Sequence, residues 1–212
     1  MGASILPITL HQGHIYLLFG REKPTDQNPG WSDFGGGTDP GESFLDTACR
    51  EGMEESVGFL GSARHIRTHL RKYGTYLVEH KSSRGTYRCH LFPITYDEML
   101  PIYYNNSHKV IEQHLSQQVL TKHKIFEKVE IRWVNLNEIA QFRPKFRTFY
   151  RKVIDLLLQD ITNIREFVKH NRLFKQSDLW FKQNDLWFKQ SDLNNTRKLK
   201  NKRTNKTKRI YK

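Results

Sequence analysis

Residues 35–59 decide the fold of this chain, and they read GGGTDPGESFLDTACREGMEESVGF. The three glycines let the backbone bend sharply and present its own N–H and carbonyl groups to an ion or a phosphate. Pro40 and Gly41 signal a turn, and residues 42–44 are expected to begin a helix. The stretch therefore predicts a glycine-rich turn that leads directly into a helix.

One face of that helix carries clustered charge. Successive helical residues turn by about 100°, so a span of about 140° contains four charged side chains, Arg50, Glu51, Glu54 and Glu55. Like charges at i,i+4 repel by about 0.2–0.5 kcal/mol. A hard divalent cation relieves this repulsion, because Mg²⁺ prefers carboxylate oxygens and keeps positions open for water and phosphates. The face therefore predicts a carboxylate metal site.

The opposite face of the same helix is mostly small. Its members are Leu45, Ala48, Cys49, Gly52 and Ser56. Small side chains let a helix approach a sheet closely, so this face is expected to pack against strands.

The spacing of these residues resembles the Nudix box of the Nudix hydrolases. In order, and separated by five, seven and two residues, the matching positions are Gly36, then Glu42, then Arg50-Glu51, then Glu54-Glu55. Trp31 and Phe34-Gly35-Gly36 are similar to the aromatic residue and glycine pair that commonly precede the box. The chain departs from the pattern at Gly52, where an aliphatic residue is usual, at Phe34, where proline is usual, and at Gly58, which closes the box one residue late. None of these changes removes a metal ligand.

The resemblance implies a role for each matching residue. Glu54 and Glu55 would bind Mg²⁺ or Mn²⁺ together with the backbone carbonyl of Gly35, and Glu51 would act as general base or as a further ligand. Arg50 would orient a carboxylate rather than touch substrate. Structural support of the glycine-rich loop would fall to two residues, Glu42 and Gly36.

Four residues outside the box are further candidates. Arg21 and Lys23 lie in a predicted loop beside the site, where they would bind substrate phosphates or remain solvated cations. A distal acid often completes the metal set in the family, and Glu127 and Glu130 are the candidates for it. The alternative for both glutamates is an ordinary position on the surface of a strand.

The rest of the chain alternates strand and helix patterns. Strands are predicted at residues 4–10, 14–19, 75–80, 86–94 and 125–134, the last with an imperfect alternation that leaves room for a bulge. Residues 101–106 are expected to break the chain, and helical spacing appears at residues 108–120 and 144–164. The prediction is an α/β fold, a Nudix-type α/β/α sandwich with a mixed sheet and a basic C-terminal extension.

Charge divides the chain unevenly. The net charge is +13, and residues 166–212 carry 14 Lys or Arg against four acids. We therefore predict a Nudix domain at residues 1–165 and a basic, disordered tail at residues 166–212, drawn to polyanions or simply kept soluble by its charge. Residues 174–193 repeat Phe-Lys-Gln-Ser/Asn-Asp-Leu-Trp, which favours a low-complexity duplication over a partner-binding helix.

Composition also bounds location. Cys49 and Cys89 are too few for a disulfide framework or a zinc site, which indicates a reducing compartment. No apolar run approaches the ~18 residues of a membrane span, and no basic segment followed by an apolar one begins the chain. The sequence predicts a cytoplasmic protein without a membrane partner.

The resemblance implies hydrolysis of a nucleoside diphosphate linked to another moiety. The leaving group stays open between capped messenger RNA, which the basic tail would help to bind, and diphosphoinositol or dinucleoside polyphosphates, which the Phe34-to-Gly37 segment resembles more. Trp31 to Gly37 and the late Gly58 are also similar to Nudix proteins of large DNA viruses and protists, a weaker association that keeps decapping open. A non-catalytic RNA-binding module is a further alternative, which the three clustered glutamates disfavour.

Overall fold

The structure, a computed structural model, describes residues 1–83 and 85–175. Met1–Phe174 form one compact unit. From residue 176 onward, the predicted repeat and the basic tail lie outside the described residues. Among the helices that are described, none combines the length and the apolar character needed to cross a membrane.

Seven strands of the described chain form one mixed sheet. They are β1 (Gly2–His11), β2 (His14–Glu22), β3 (Trp31–Ser32), β4 (Phe34–Gly37), β5 (Leu77–Ser82), β6 (Gly85–Pro93) and β7 (Lys128–Asn135). The order β3-β2-β1-β6-β5 forms the main path, with β4 paired to β1 and β7 paired to β2. Only the β1–β6 pair among these strands is parallel. The predicted mixed sheet is confirmed, and the strands predicted at residues 4–10 and 14–19 and at residues 75–80 and 86–94 pair as two antiparallel hairpins.

Helices cover both faces of the sheet. They are α1 (Phe44–Glu55), α2 (Ala63–Tyr73), α3 (Leu100–His114), α4 (Gln117–Lys122), α5 (Ile139–Phe142), α6 (Arg151–Gln159) and α7 (Ile161–His170). Buried residues of α1, α2 and α3 share one core with Ile5, Leu18 and Phe92 of the sheet. Buried residues of α6 and α7 share the other core with Leu6 and Phe19. The predicted α/β/α sandwich is confirmed.

Two predicted helices and one predicted break were wrong in their bounds. The predicted break at residues 101–106 lies inside α3. Pro101 is in the first turn of this helix, where its missing N–H costs no helical hydrogen bond. The predicted helix at 108–120 is divided into α3 and α4, because Leu115 is extended and Ser116 caps the second helix. The predicted helix at 144–164 begins at Arg151 and is interrupted at Asp160.

Helix α7 crosses the predicted domain boundary after residue 165. Val168 and Phe174 are buried in the core beneath α6 and α7. The compact unit thus includes residues up to Phe174.

The small face of α1 packs against β1, and Gly52 is the closest point. A Cβ at Gly52 would lie 2.5 Å from Cδ1 of Ile5, which is fully buried. This contact explains why glycine stands where the family commonly has an aliphatic residue. Helix α1 therefore lies closer to the sheet than a larger side chain at position 52 would allow.

Gly52→Ala is expected to lower the free energy of unfolding by about 1–2 kcal/mol, because overpacking costs more than the helix propensity of alanine gains. Urea unfolding measures the change. Ile5→Ala removes both clashing atoms, Cδ1 and Cγ1, so the double variant should be more stable than the sum of the two single effects predicts. An increase in stability for Gly52→Ala alone would contradict the close contact.

His90 is a buried residue of β6 on the α1 side of the sheet, the side of Phe92. Neither ring nitrogen has a hydrogen-bond partner within the described chain. Burial, followed by the charge of Arg88, lowers the pKa of His90 to about 4. An unfolded histidine has a pKa of about 6.5, so the unfolded state binds more protons between these values. The stability that neutral His90 contributes is complete above pH 6.5 and is lost as the pH falls toward 4.

His90→Leu should therefore flatten the pH dependence of stability. Between pH 7.5 and pH 5 we expect wild type to lose about 2 kcal/mol more unfolding free energy than the variant loses. Urea unfolding at the two pH values measures both losses. Equal losses in the two proteins would show that His90 is not held neutral.

Candidate active site

Helix α1 begins and ends with identifiable caps. Ser43 is the N-cap, and it forms a reciprocal capping box with Asp46. After Glu55 the chain leaves the helix through Val57 and Gly58, which have φ of 51° and 75°. The Gly58 N–H donates to the Met53 carbonyl at 2.9 Å. Gly58, one residue later than usual, therefore changes only the way the chain leaves α1, and the acidic face is not affected.

Arg50 organises the acidic face. Its Nε and Nη2 donate to the two carboxylate oxygens of Glu42 at 2.8 and 3.0 Å, and Nη2 also reaches the Gly37 carbonyl at 3.1 Å. Its Nη1 donates to Glu51 at 2.7 Å and to Glu54 at 3.3 Å. Arg50 thus joins three carboxylates to the glycine-rich strand, and the Glu51 and Glu54 carboxylates converge on one nitrogen.

Glu42 supports the turn before the helix. Its carboxylate accepts hydrogen bonds from the Asp39 N–H at 3.2 Å and from the Thr47 hydroxyl at 2.9 Å. The hydrogen bond from Arg50 is the largest cause that lowers the pKa of Glu42 to about 2. Glu42 therefore stays ionised at any physiological pH and holds Arg50 toward the other acids.

Glu51 lies against the glycine-rich strand. A Cβ at Gly36 would lie 2.4 Å from Oε1 and 2.8 Å from Oε2 of Glu51. The Glu51 carboxylate therefore occupies the space that a side chain at position 36 would need.

Glu55 is the most enclosed acid of the face. Its Oε2 accepts the Gly35 N–H at 2.7 Å, and its Oε1 lies 3.1 Å from the Lys128 ammonium. Lys128 also contacts Glu22 and donates to the Ser32 hydroxyl at 3.0 Å. Burial opposes the charge on Lys128, but the Glu55 and Glu22 carboxylates outweigh it and raise the Lys128 pKa. Its ammonium is charged at neutral pH.

Lys128 lies in the strand predicted at residues 125–134, whose imperfect alternation assigned it to neither face, and the structure buries its side chain. The pairing of β2 with β7 shifts between Arg21 and Glu22, so that Arg21 faces Glu130 while Glu22 faces Lys128. This irregularity, which the imperfect alternation left room for, skips Val129 and turns Lys128 inward. The sequence signal was the broken alternation itself.

The two distal-acid candidates lie in different places. Glu130 pairs with Arg21 at 2.9 Å on the sheet surface, and neither lines the clefts beside α1. Glu127 lines the cleft that Glu55 also lines. Burial is the largest cause that raises the Glu127 pKa, Lys124 opposes it, and Glu51 adds to it. The structure thus brings Glu127 toward the acidic face, whereas Glu130 and Arg21 neutralise each other.

Two clefts flank the acidic face. The first, of about 430 Å³, is lined by acids and three cations, and the cations are Lys23, Lys124 and Arg147. The second, of about 440 Å³, is lined by Arg50, Glu54 and Lys124 among others. Lys23 therefore faces the site, while Lys124 and Arg147 are cleft residues that sequence reasoning missed.

The donor chemistry of the face suits a hard divalent cation. Glu51 and Glu54 offer carboxylate oxygens that converge on one point, beside the backbone of the glycine-rich strand. Within residues 1–83 and 85–175, no three acidic, histidine or cysteine side chains already stand in a metal-ligating arrangement. The residue types fit the ion, and Arg50 fills the point of convergence in this structure.

The sequence profile of the NUDIX domain matches residues 1–157. The chain therefore belongs to the NUDIX family, and it carries a Nudix hydrolase domain, a class that acts on phosphoanhydride bonds.

Solved structures resemble the chain at low identity. An Ap4A hydrolase of C. elegans in a binary complex is 12% identical, with a TM-score of 0.45, over 76% of this chain and 97% of that one. The Nudix hydrolase RenU of M. smegmatis is 16% identical, with a TM-score of 0.43, over 77% and 86%. The NUDIX domain of Shewanella oneidensis NrtR, complexed with ADP ribose, is 14% identical, with a TM-score of 0.42, over 76% and 86%. A sequence comparison with curated proteins finds no match.

Proposed function

We propose that this protein is a divalent-metal-dependent pyrophosphohydrolase that cleaves the phosphoanhydride of a nucleoside diphosphate linked to another moiety. The observation that carries the proposal is the convergence of Glu51 and Glu54 on Arg50, directly beside the glycine-rich strand and between two clefts. A solvated helix face would not need this convergence.

The residues divide the work. Glu51 and Glu54 would hold the ion, with the Gly35 carbonyl as a backbone ligand. Whether Glu55 also binds the ion depends on its ion pair with Lys128. Arg50 would keep the two acids aligned until the ion binds and would then leave their point of convergence, while Glu42 continues to hold it. A bound Mg²⁺ or Mn²⁺ would lower the pKa of a water and neutralise phosphate oxygens. Glu51, the more buried of the two converging acids, is the proposed proton acceptor.

Substrate phosphates would enter the cleft that Lys23, Lys124 and Arg147 line. Three cations in a concave site attract an anionic substrate and place its diphosphate beside the acidic face. Glu127, at the same cleft, is the proposed distal acid.

A substrate panel tests the proposed reaction. We would measure product release from ADP-ribose, Ap4A, a diphosphoinositol polyphosphate and capped RNA, with Mg²⁺, with Mn²⁺ and with EDTA. The proposal expects turnover of at least one compound, lost in EDTA and restored by excess metal. Turnover that EDTA does not affect, or RNA binding without turnover of any compound, would contradict it.

Messenger-RNA decapping is the second candidate, and the charge of the C-terminal segment favours it. Residues 166–212 have a net charge of +10, which suits sequence-independent phosphate contacts. The likeness of residues 31–37 and Gly58 to Nudix proteins of large DNA viruses and protists belongs to the same candidate.

Removing residues 175–212 separates the two candidates, because the compact unit ends at Phe174. We expect unchanged turnover of small substrates, together with weaker and less salt-sensitive RNA binding. Fluorescence anisotropy across a salt series measures the binding. Unchanged RNA affinity would exclude a role for the basic segment, and loss of small-substrate turnover would show that the domain needs it.

A further inference from the structure

Lys128 is a buried cation beside the acidic face. Its side chain is only 1% exposed, and its ammonium contacts Glu22, Glu55 and Ser32. The residue lies where β7 begins, directly after the proposed distal acid Glu127. It is therefore a charged group inside the layer between the sheet and α1.

The surroundings of Lys128 are built around its side chain. A Cβ at Gly20 would lie 2.7 Å from Cγ and 2.9 Å from Cδ of Lys128, so only glycine at that position leaves room for the stem. The buried Tyr104 hydroxyl lies 2.9 Å from the Lys128 carbonyl and 3.1 Å from the Glu55 carbonyl. The backbones that carry Lys128 and Glu55 are thus tied together by one side chain.

Both carboxylate oxygens of Glu55 already have partners. Oε1 faces the ammonium at 3.1 Å, and Oε2 accepts the Gly35 N–H at 2.7 Å. With the side chain 7% exposed, Glu55 has little room to turn away from either. A divalent ion on Glu55 would have to share this carboxylate with a fixed positive charge.

Charge separates two neighbouring groups. The first comprises Glu22, Asp26, Glu55, Lys128 and Arg147, which are joined by ion pairs and sum to −1. The second comprises Asp39, Glu42, Glu51, Glu54 and Arg50, which sum to −3. A divalent cation would reduce the negative charge of the second group to −1, whereas it would overcharge the first group to +1.

We infer that the Lys128 ammonium occupies the cation position at Glu55, so that Glu55 binds Lys128 while Glu51 and Glu54 hold the divalent ion. The inference rests on the proposed function and deepens it. Lys128 is a positioning residue, since it acts through Glu55, which in turn holds the Gly35 N–H and the glycine-rich strand. Of the metal positions that the acidic face predicts, the one at Glu55 is thus filled by the Lys128 ammonium of the chain.

Mn²⁺ binding to the full chain tests the inference without any substrate. Glu54→Gln and Glu55→Gln are the matched pair, and each keeps the shape of its side chain. By titration with paramagnetic detection of free Mn²⁺, we expect at least about a tenfold weaker affinity for Glu54→Gln. Glu55→Gln should stay within about threefold of wild type, because Glu55 does not hold the ion in this inference; the amide oxygen of glutamine can still accept from either Lys128 or the Gly35 N–H, although not from both.

The outcomes are distinguishable. Tenfold weakening in Glu55→Gln, or equal effects of the two variants, would overturn the inference while leaving the metal-dependent hydrolase in place. Absence of Mn²⁺ binding by the wild-type chain would overturn the proposed function and the inference with it.

Lys128→Met provides a second measurement, because methionine removes the ammonium from Glu55 and leaves that position open to a metal ion. We expect this variant to be stabilised by Mn²⁺ more than wild type is, measured as the shift of Tm at saturating Mn²⁺. A shift equal to that of wild type would overturn the inference. If the variant fails to fold because Glu22 and Glu55 lose their partner, the glutamine pair alone decides.

Discussion

Glu51→Gln is expected to lower kcat for any substrate of this protein by at least about a hundredfold. Glu51 is the acid that both converges on Arg50 and lies over Gly36. Glutamine keeps its size but cannot accept a proton or match the charge of a cation. The loss should therefore appear in kcat with little change in Tm.

Steady-state kinetics at saturating Mg²⁺ measures the effect, with Glu98→Gln as the control. Glu98 is an exposed glutamate outside the residues that line the two clefts, so its variant should retain wild-type kcat. A folded Glu51→Gln protein with kcat within threefold of wild type would remove Glu51 from the chemistry.

Gly36→Ala is expected to reduce kcat by about tenfold to a hundredfold, because displacement of a catalytic group by about an ångström has effects of this size. The added Cβ would lie 2.4 Å from Glu51 Oε1, so the carboxylate has to move. A carboxylate is the mobile end of its side chain, and stability should change by less than about 1 kcal/mol.

The neighbouring glycine supplies the matched control. A Cβ at Gly37 would meet no heavy atom of the described residues within 4 Å, so Gly37→Ala should leave kcat within twofold of wild type. Both variants would be compared by kinetics and by urea unfolding. Equal activity of the two alanine variants would mean that Glu51 does not need its place over Gly36.

The box helix and its acidic face were predictable because their signal is local. Spacing along one helix places Arg50, Glu51 and Glu54 together whatever the rest of the chain does. The small opposite face likewise predicted close packing on the sheet, and the structure shows this packing where Gly52 contacts Ile5. Both faces lie on one helix of about three turns, so neither face needs a long-range contact to be predicted.

Helix α2 escaped prediction because its apolar signal is short. Only Ile66 and Leu70 of its residues are buried, and basic side chains fill most of the remainder. The caps Ser62 and Gly74 were the available signal, since Ser62 accepts the His65 N–H and Gly74 has a φ of 78°. A helix this polar is recognised by its ends rather than by its periodicity.

Lys128 was beyond prediction for a different reason. Its burial depends on a register shift between β2 and β7 and on partners more than 70 residues away, Glu22 and Glu55. The broken alternation of the strand marks the register shift, but no local pattern encodes the contacts with Glu22 and Glu55, and the general rule for lysine is exposure. Lysine is usually exposed, but the pairing of Lys128 with distant residues buries it beside the candidate site.

We expect the acidic face of α1 to hold a divalent cation. Anomalous diffraction from crystals soaked in MnCl₂ tests it most directly, because the peak reports the position of the ion itself. A peak is expected at about 2.0–2.3 Å from carboxylate oxygens of Glu51 and Glu54, with Arg50 displaced from their point of convergence. Saturating MnCl₂ that leaves Arg50 in place and produces no peak on this face would contradict it.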